Sequence, residues 1–368
     1  EAVIEEANSM SDVTKIAVDI PSGLSGHLQD GVCFNADLTL TMGALKLESL
    51  FHDGRKSSGE VHVMNIGIPE GEFLIRGKGL FQTEVEDIAG DIFGRDVTSN
   101  KYSNGKVLLI SGSPGLTGAT YLSAMSAART GCGAVIAAVP KSVFPVMEAK
   151  LIEVMKLQLA DNAYGSISFR AYDQIREKLD WADVILIGPG LSKNEESMEL
   201  VRRIIIENGG KRFVIDADAV YAFKGFSNLL KGKDAILTPH FGEFAGVAEV
   251  ESPELMRSFA EHAKAFSEKT GATLVLKNAP TIIAEGTRLY INSTGSENLA
   301  TAGTGDVLSG IIASLWARSG NRFESAVAGT LLHGLAGDIL YSESGPASTI
   351  ASDLIGKINE AKKIAGID

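Results

Sequence analysis

The sequence predicts an α/β protein whose sheet is mostly parallel and is covered by helices on both faces. From about residue 100 onward, short apolar runs alternate with helical stretches, beginning with KVLLISG (106–112) and the helix TYLSAMSAARTG, which ends at Gly131. Glycine-rich turns separate these stretches, and the chain contains 40 glycines. Buried apolar strands that alternate with helices are typical of βαβ units and therefore of a parallel sheet.

The later elements follow the same alternation. Further strands are predicted in AVIAAVP, WADVILIGPGL, RFVIDADAV, DAILTPHFGEF and ATLVLKN. The stretch TIIAEGTRLYIN (281–292) predicts two strands around a Glu-Gly turn, which would form a hairpin at the sheet edge. After Asp306 only helices are predicted, in VLSGIIASLWARSG, in ESAVAGTLLHGLAGDIL and after ASDLIG.

Residues 1–72 form a separate piece with three predicted strands, in TKIAVDIPSGLSG, ADLTLTMGA and EVHVMNIGIP. The stretch FQTEVEDIAGDIF (81–93) predicts an amphipathic connector, and VTSNKYSNG (97–105) predicts a polar loop. We place the domain boundary near 75–82, which gives an N-terminal domain at 1–75 and a second domain at 83–368.

Composition excludes several classes of protein. The net charge of −12 argues against nucleic acid or an anionic membrane surface as the main partner. Cys33 and Cys132 are far apart and form no CxxC pair, so we expect neither a zinc site nor a disulfide framework. We expect a reduced, cytoplasmic location instead. No apolar run approaches the length of a membrane span. The chain begins at Glu1 without a visible signal peptide, as a fragment or a processed product would.

Glycines, charged residues or both follow most of the predicted strands. The sequences are GSPGLTGA, GPG, DAD, TPHFGE and KNAPT, and the helix after the hairpin opens with AGTGD. In a doubly wound sheet, ligands bind beyond the carboxyl ends of the strands, and this pattern therefore predicts a binding site at that edge. GSPGLTGAT lacks the lysine of a Walker-type phosphate loop and does not fit GxGxxG, which excludes both of those nucleotide-binding classes.

Five residues in these motifs each allow a structural and a functional interpretation. Asp306 follows two glycines at a helix start, where it could cap the helix or act on an anion bound there. His240 and Glu243 stand three apart at another helix start, as a capping box or as site residues. Lys277, after an apolar strand, either reaches solvent or has a partner anion. His333, in LLHGLAGD, is more typical of a structural histidine.

Taken together, these motifs resemble one family. GSPGLTGA, GPGL, DADAV, TPHFGEF, VLKNAPT, AGTGDVLSGIIA and LLHGLAGD have the order and spacing of the NAD(P)H-hydrate dehydratase family, a branch of the ribokinase-like fold, over about residues 83–368. The resemblance implies repair of NADH or NADPH hydrate, by nucleotide-dependent phosphorylation of the ring hydroxyl and loss of phosphate, with ADP or ATP and Mg²⁺. The chain has HFGE where the family commonly has HPGE, and Glu297-Asn298-Leu299 where the family usually has Pro-Gly-Met.

The same resemblance implies roles for individual residues. Asp306 would be the base of phosphoryl transfer, and Glu243 would orient Mg²⁺ through water. The nucleotide would contact Lys277, Asn278, Ala279, Pro280, Thr281, Ser296, Ala302, Gly303, Thr304 and Gly305. The hydrate would contact Ala119, Gly190, His240, Phe241, Gly242 and Glu243, together with Asp306.

Residues 1–72 resemble the last third of the Rossmann-like NAD(P)H-hydrate epimerase domain, which is fused upstream in bifunctional enzymes. The resemblance implies that Asp19 contacts the hydrate and that Ser22 contacts a potassium ion. The first two thirds of that domain are not in the sequence. The small-molecule partners would be NADHX, NADPHX and ADP, and we expect a homo-oligomer.

Two other functions stay open at this point. One is a ribokinase-like kinase that phosphorylates a sugar or a vitamin alcohol, which would need a pocket too small for a dinucleotide. The other is a nucleotide-binding module without turnover, and the intact GTGD argues against it.

Overall fold

The computed structural model describes residues 1–25, 28–29, 31–69, 71–72, 80–88, 92, 94 and 98–366. The chain divides into two compact units. Unit 1 comprises Glu1–Leu80 with Val250–His262, and unit 2 comprises Phe81–Glu249 with Ala263–Asp368. Residues 75–79 of the predicted boundary region and parts of the predicted connector (81–93) and loop (97–105) lie outside the described residues. Within the described ranges, no helix is both long and apolar enough to cross a bilayer.

Unit 1 contains a small parallel sheet with the three strands that the sequence predicts. Strands β1 (Ile16–Val18), β4 (Leu38–Met42) and β5 (Glu60–Met64) lie in that order. Its other elements are α1 (Ala2–Ser9), the short pair β2 (Leu24–Ser25) and β3 (Leu28–Gln29), α2 (His52–Ser58) and α9 (Ser252–Arg257).

Unit 2 is built on a ten-stranded sheet with the order β6-β15-β14-β13-β12-β11-β10-β7-β8-β9. The strands from β13 to β9 run parallel, and β14 and β15 form the predicted antiparallel hairpin. Their bounds are β6 (Leu80–Gln82), β7 (Lys106–Ile110), β8 (Ala134–Pro140), β9 (Met155–Leu159), β10 (Val184–Ile187), β11 (Arg212–Ile215), β12 (Asp234–Leu237), β13 (Thr273–Leu276), β14 (Thr281–Glu285) and β15 (Arg288–Asn292).

The predicted position of the hairpin at the sheet edge is wrong. The short strand β6 lies outside β15, and the backbone N–H of Thr83, just after β6, donates to the carbonyl of Ile291 at 2.8 Å. The start of the predicted amphipathic connector is therefore extended. A segment of three residues with partly buried side chains carries too weak a periodic signal to be distinguished from a connector.

Helices cover both faces of this sheet, as the strands require. Every residue of β10 and β13 is buried, and Trp316 lies fully buried in the core between sheet and helices. The last helix begins at Ala351, so it contains ASDLIG rather than following it. The helices of the unit are α3 (Thr117–Thr130), α4 (Phe144–Lys150), α5 (Tyr172–Trp181), α6 (Glu195–Glu207), α7 (Asp218–Tyr221), α8 (Phe241–Ala248), α11 (Thr304–Ser319), α12 (Arg322–Ser344) and α13 (Ala351–Ile364), and α10 (Phe259–Thr270) begins in unit 1.

Candidate functional site

The carboxyl ends of three neighbouring strands bring the charged residues of the motifs together. Asp216 follows β11, His240 lies beyond the end of β12, and Lys277 follows β13. The backbone N–H of Lys277 donates to the carbonyl of Pro239 at 2.8 Å, and His240 pairs with Lys277 as an isolated parallel bridge. The register of the sheet therefore fixes the backbone positions from which these side chains extend.

Lys277 has a partner anion rather than free access to solvent. Its Nζ lies 2.9 Å from Oδ1 of Asp216, and the Asp216 side chain is only 1% exposed. The Thr238 hydroxyl donates to the same oxygen at 2.8 Å, whereas Asp216 Oδ2 is buried and has no hydrogen-bond partner among the described residues. Burial lowers the pKa of the Lys277 ammonium, but the negative charges of Asp216 and then Glu243 outweigh it and raise that pKa overall.

Asp306 lies in the first turn of α11 but is not its N-cap. Gly303 takes that position with a φ of 94°, and Asp306 is the third helical residue. In the described part of the chain its carboxylate has no hydrogen-bond partner. Burial, followed by the charge of Asp216, raises the pKa of Asp306 to about 7, although Lys277 acts in the opposite direction. A carboxyl group whose pKa is near neutrality, in the first turn of a helix, is suited to accept a proton.

The mouth of α11 also adjoins the lysine. A Cβ atom at Gly305 would lie 3.0 Å from Lys277 Nζ, so the ammonium lies close above the second residue of the helix. Free N–H groups and the helix dipole favour an anion at such a helix start. The lysine adds a full positive charge, and the arrangement can therefore bind a phosphoryl group in front of Asp306.

His240 and Glu243 form a capping box at the start of α8. His240 Nδ1 accepts the backbone N–H groups of Gly242 at 3.0 Å and Glu243 at 3.3 Å. Glu243 Oε2 accepts the backbone N–H of His240 at 2.9 Å. The pair therefore forms the capping box that was one of its two interpretations. Glu243 keeps an influence on the site, since its charge raises the pKa values of both Lys277 and Asp306.

A second acid accompanies Asp216 in the DAD motif. Asp218 Oδ2 accepts the backbone N–H of Ser192 at 2.8 Å, which ties the end of β11 to the GPG loop after β10. Burial raises the pKa of Asp218. The charges of Asp216 and Asp218 both raise the pKa of Asp306, so these neighbouring carboxylates disfavour its ionised form.

Two of the predicted hydrate contacts are neighbours. A Cβ atom at Gly190 would lie 3.1 Å from Cβ of Ala119 and 2.6 Å from the carbonyl of Leu116. Because Gly190 also has a φ of 63°, both space and backbone conformation favour glycine there. The glycine loops after β7 and β10 thus meet closely, and the remaining predicted hydrate contacts, His240, Phe241, Gly242 and Glu243, stand at the start of α8.

The predicted nucleotide contacts lie on two segments. In the first, Lys277–Thr281, the Thr281 hydroxyl donates to the Asn278 carbonyl at 3.0 Å, and Asn278 Nδ2 is buried with no hydrogen-bond partner in the part of the chain that the structure describes. The second comprises Ser296 and Ala302, Gly303, Thr304 and Gly305. Pairing of Thr281 with Asn292 in the hairpin brings the first segment near the start of the second.

Asp216, His333 and Asp338 were not among the predicted contacts. Asp216 was visible in the DAD motif, but its pairing with Lys277 was not. His333 is structural, as expected: it is buried, its Nε2 lies 2.9 Å from the carbonyl of Thr304, and burial lowers its pKa to about 4. Asp338 accepts hydrogen bonds from Gly295 N–H and the Ser296 hydroxyl. Its only sequence signal was its place in LLHGLAGD.

In unit 1, the two predicted contacts have different surroundings. Asp19 Oδ1 lies 2.9 Å from Lys46 Nζ and accepts the backbone N–H of Met42 at 3.0 Å. The hydrogen bond from Lys46, followed by that from Met42, lowers the pKa of Asp19. Ser22 is exposed.

Comparison with known proteins gives a consistent result over almost the whole chain. The family model described as NAD(P)H-hydrate dehydratase matches residues 107–360, and the model described as YjeF-related protein N-terminus matches residues 1–48. A bifunctional NAD(P)H-hydrate repair enzyme from Moorella thermoacetica is 35% identical over 96% of this chain and 67% of its own length. The Escherichia coli enzyme of the same description is 32% identical over 97% and 66%. The chain therefore spans about two thirds of these relatives.

Solved structures agree on the fold. A Bacillus subtilis protein described as ADP/ATP-dependent NAD(P)H-hydrate dehydratase, co-crystallised with ATP and Mg²⁺, superposes with a TM-score of 0.66 and 26% identity, covering 78% of this chain and 99% of its own. A ribokinase-like superfamily protein from Enterococcus faecalis gives a TM-score of 0.67 at 24% identity, over 78% and 96%. The expected ribokinase-like fold is confirmed.

Proposed function

The chain belongs to the NAD(P)H-hydrate dehydratase family, and we propose from this premise how unit 2 converts NADHX and NADPHX back to NADH and NADPH. The observation that carries the proposal is the Asp306 carboxylate, one turn into a glycine-opened helix and without a hydrogen-bond partner in the described part of the chain. A carboxylate in that place has no evident structural task. It faces the position where a phosphoryl group would bind.

The nucleotide is ADP or ATP, and its phosphates bind at the mouth of α11. The backbone N–H groups of Ala302, Gly303 and Gly305 donate to the transferring phosphoryl group, and Lys277 neutralises part of its charge. The N–H of Thr304 already donates to the carbonyl of Thr301 at 3.4 Å and would have to leave it to join them. Lys277 is already held at that mouth by Asp216, and little reorganisation is needed when the phosphate arrives. Positioning of this kind is the main contribution that proteins make to phosphoryl transfer.

Asp306 acts on the hydroxyl of the hydrate. It takes the hydroxyl proton while the oxygen bonds to the terminal phosphorus of the nucleotide, and the bond to the leaving nucleotide breaks, which releases AMP from ADP or ADP from ATP. The new phosphate ester has a far better leaving group than hydroxide. Loss of phosphate together with a neighbouring ring proton restores the double bond of the reduced nicotinamide.

Mg²⁺ is expected with the nucleotide and fits the site only as an ion bound mainly by phosphate oxygens. In the part of the chain that the structure describes, no three acidic, histidine or cysteine side chains are placed to hold a metal ion. Glu243 would contact the ion through water, which is a usual arrangement for Mg²⁺. Bound there, the ion would neutralise charge on the phosphates.

The hydrate lies between the glycine loops and the start of α8. Ala119 and Gly190 would contact it from the loop side, and His240, Phe241, Gly242 and Glu243 from the helix side. The capping box keeps these helix residues in one arrangement, so the hydrate would meet a preformed surface.

The test is direct. The purified protein is mixed with Mg²⁺, ADP or ATP, and either hydrated NADH or a panel of sugars and vitamin alcohols, and released nucleotide is measured beside the absorbance of reduced nicotinamide. We expect equal amounts of AMP and NADH from ADP and the hydrate. Phosphorylation of an alcohol with no reaction of the hydrate would instead identify a small-molecule kinase. Nucleotide binding without any product would identify a module without turnover.

The epimerase part is proposed for unit 1 only as a contribution to a larger site. Asp19 would contact the hydrate and Ser22 a potassium ion, but the Asp19 carboxylate is already paired with Lys46. One hydroxyl and one paired carboxylate do not supply the shell of oxygen atoms that K⁺ requires, so we derive no step through this ion. We expect the 368-residue polypeptide alone to leave the two hydrate epimers unexchanged in KCl and in NaCl. Potassium-dependent exchange would contradict this.

Three further expectations accompany the proposal. They are a cytoplasmic location, a homo-oligomer, and the absence of a nucleic-acid or membrane partner. Light scattering after size-exclusion chromatography would test the oligomer, and a mass equal to one chain would refute it.

A further inference from the structure

The motif LLHGLAGD lies on α12 and holds the segment Thr294–Thr304, which we call the strap. Asn298 Nδ2 donates to the carbonyl of Gly337 at 2.8 Å. A Cβ atom at Gly334 would lie 2.0 Å from Thr294 Oγ1, so the helix and the start of the strap touch without space for a side chain. At the other end, His333 binds the Thr304 carbonyl. The strap is therefore fixed along its length by one face of α12.

Asp338 is the charged member of this arrangement. Its Oδ2 accepts the backbone N–H of Gly295 at 2.9 Å, and its Oδ1 accepts the hydroxyl proton of Ser296 at 2.7 Å. A serine hydroxyl has one proton, and an ionised carboxylate can only accept. Once Ser296 donates to Asp338, it retains only lone pairs for any other partner.

We propose that Asp338 is a positioning residue that makes Ser296 an acceptor toward the nucleotide. The inference rests on the proposed function and on the contact between Ser296 and the nucleotide that the family resemblance implies. An acceptor cannot bind a phosphate oxygen favourably, because both atoms present lone pairs. Ser296 therefore contacts a donor group of the nucleotide, either a ribose hydroxyl or the exocyclic amine of adenine. Phosphate recognition is left to Lys277 and the mouth of α11.

The isosteric variant Asp338→Asn separates this role from a merely structural one. The Gly295 N–H needs an acceptor, so the amide oxygen turns toward Gly295 and the amide NH₂ turns toward Ser296. The NH₂ group then donates to the Ser296 oxygen and releases the hydroxyl proton. The strap keeps both hydrogen bonds, but the direction of the Ser296 hydroxyl is reversed.

Calorimetry would measure the binding of ADP, 2′-deoxy-ADP, 3′-deoxy-ADP and inosine diphosphate, with Mg²⁺. Each analogue lacks one candidate donor. For the wild type we expect one analogue to bind roughly twofold to tenfold more weakly than ADP, the effect of one neutral hydrogen bond. Ser296→Ala should weaken the binding of ADP by a similar factor and leave the affinity for that analogue unchanged. Where that analogue is inosine diphosphate, Asp338→Asn should bring the ratio of the two affinities to one or below, because the adenine amine cannot accept the released Ser296 proton. A ribose hydroxyl can turn and accept that proton, so the ratio for a deoxy analogue should persist.

Two controls exclude general effects. Ser342→Ala removes a hydroxyl that donates to a backbone carbonyl on the same helix at 2.7 Å, and Asp353→Asn replaces a carboxylate that accepts the backbone N–H of Ile350 at 3.0 Å. Both should leave all four affinities unchanged.

The inference would be overturned if Ser296→Ala weakened the binding of all four nucleotides equally or of none of them. It would also be overturned if inosine diphosphate were the weaker ligand of the wild type and Asp338→Asn preserved that ratio. None of these results would bear on the turnover of the hydrate by the wild type, so the proposed function would still stand. Failure of the wild type to bind ADP and ATP would instead overturn the proposed function, and the inference with it.

Discussion

Replacing Asp306 by asparagine should stabilise the protein at alkaline pH. The folded structure holds this carboxyl group with a pKa of about 7, against an ordinary value of 3.8, because burial and the charge of Asp216 disfavour its ionised form. A group whose pKa is raised on folding binds its proton more tightly in the folded state. Stability is therefore greatest below pH 3.8 and falls as the pH rises to about 7, since ionisation then opposes folding.

The magnitude follows from the same values. The difference between 3.8 and about 7 corresponds to about 4 kcal/mol at pH 8. Asp306 is only partly buried, and solvent screens part of this energy, so that we expect roughly 2 kcal/mol. Asparagine has the same shape and no charge. The Asp306→Asn variant should therefore have a free energy of unfolding about 2 kcal/mol above that of the wild type at pH 8, and equal to it near pH 3.5.

Urea unfolding of both proteins at pH 3.5, 6 and 8, followed by circular dichroism, measures the difference. The comparison cancels the titration of all other groups that the substitution leaves unaffected. We infer that ionisation of Asp306 lowers the free energy of unfolding. This would be wrong if the two proteins were equally stable at pH 8, or if the difference between them had the same size at all three pH values.

Three further outcomes follow from the geometry. Lys277→Ala should raise the dissociation constant of ADP more than it lowers kcat, because the ammonium binds phosphate before and during transfer; an unchanged constant with lost turnover would assign it another role. His333→Gln should reduce the loss of stability between pH 6.5 and about 4, because only the unfolded wild-type histidine takes up a proton in that range; identical pH profiles of urea unfolding would contradict this. Gly190→Ala should raise the KM for the hydrate with little change for ADP, since the new methyl group meets Leu116 and Ala119; equal effects on both substrates would indicate general misfolding.

Local signals in the sequence were sufficient for most of the fold. Strands such as Val184–Ile187 are continuous apolar runs between glycine-rich turns, and helix α3 ends at Gly131, which adopts the left-handed conformation expected of a helix end. The outer strands carry less information. Strand β9 (Met155–Leu159) has a mixed burial pattern, and it was not predicted for that reason.

The partners of the site residues could not be predicted in the same way. Lys277 and Asp216 are 61 residues apart, and their contact depends on the strand order, which places β11 two strands away from β13. Ser296 and Asp338 are 42 residues apart and meet because α12 packs along the strap. A single sequence contains the residue types of these pairs, but the pairing arises only from the tertiary fold.

We propose that Asp306 takes the proton of the hydrate hydroxyl. The most direct test measures AMP release and NADH recovery by the wild type and by Asp306→Asn, with ADP binding and urea unfolding as controls. We predict that the variant folds, binds ADP at least as tightly, and loses roughly 10²- to 10⁴-fold in turnover, because the amide cannot accept the proton. Turnover within about threefold of the wild type would contradict the account and leave Asp306 without a catalytic role.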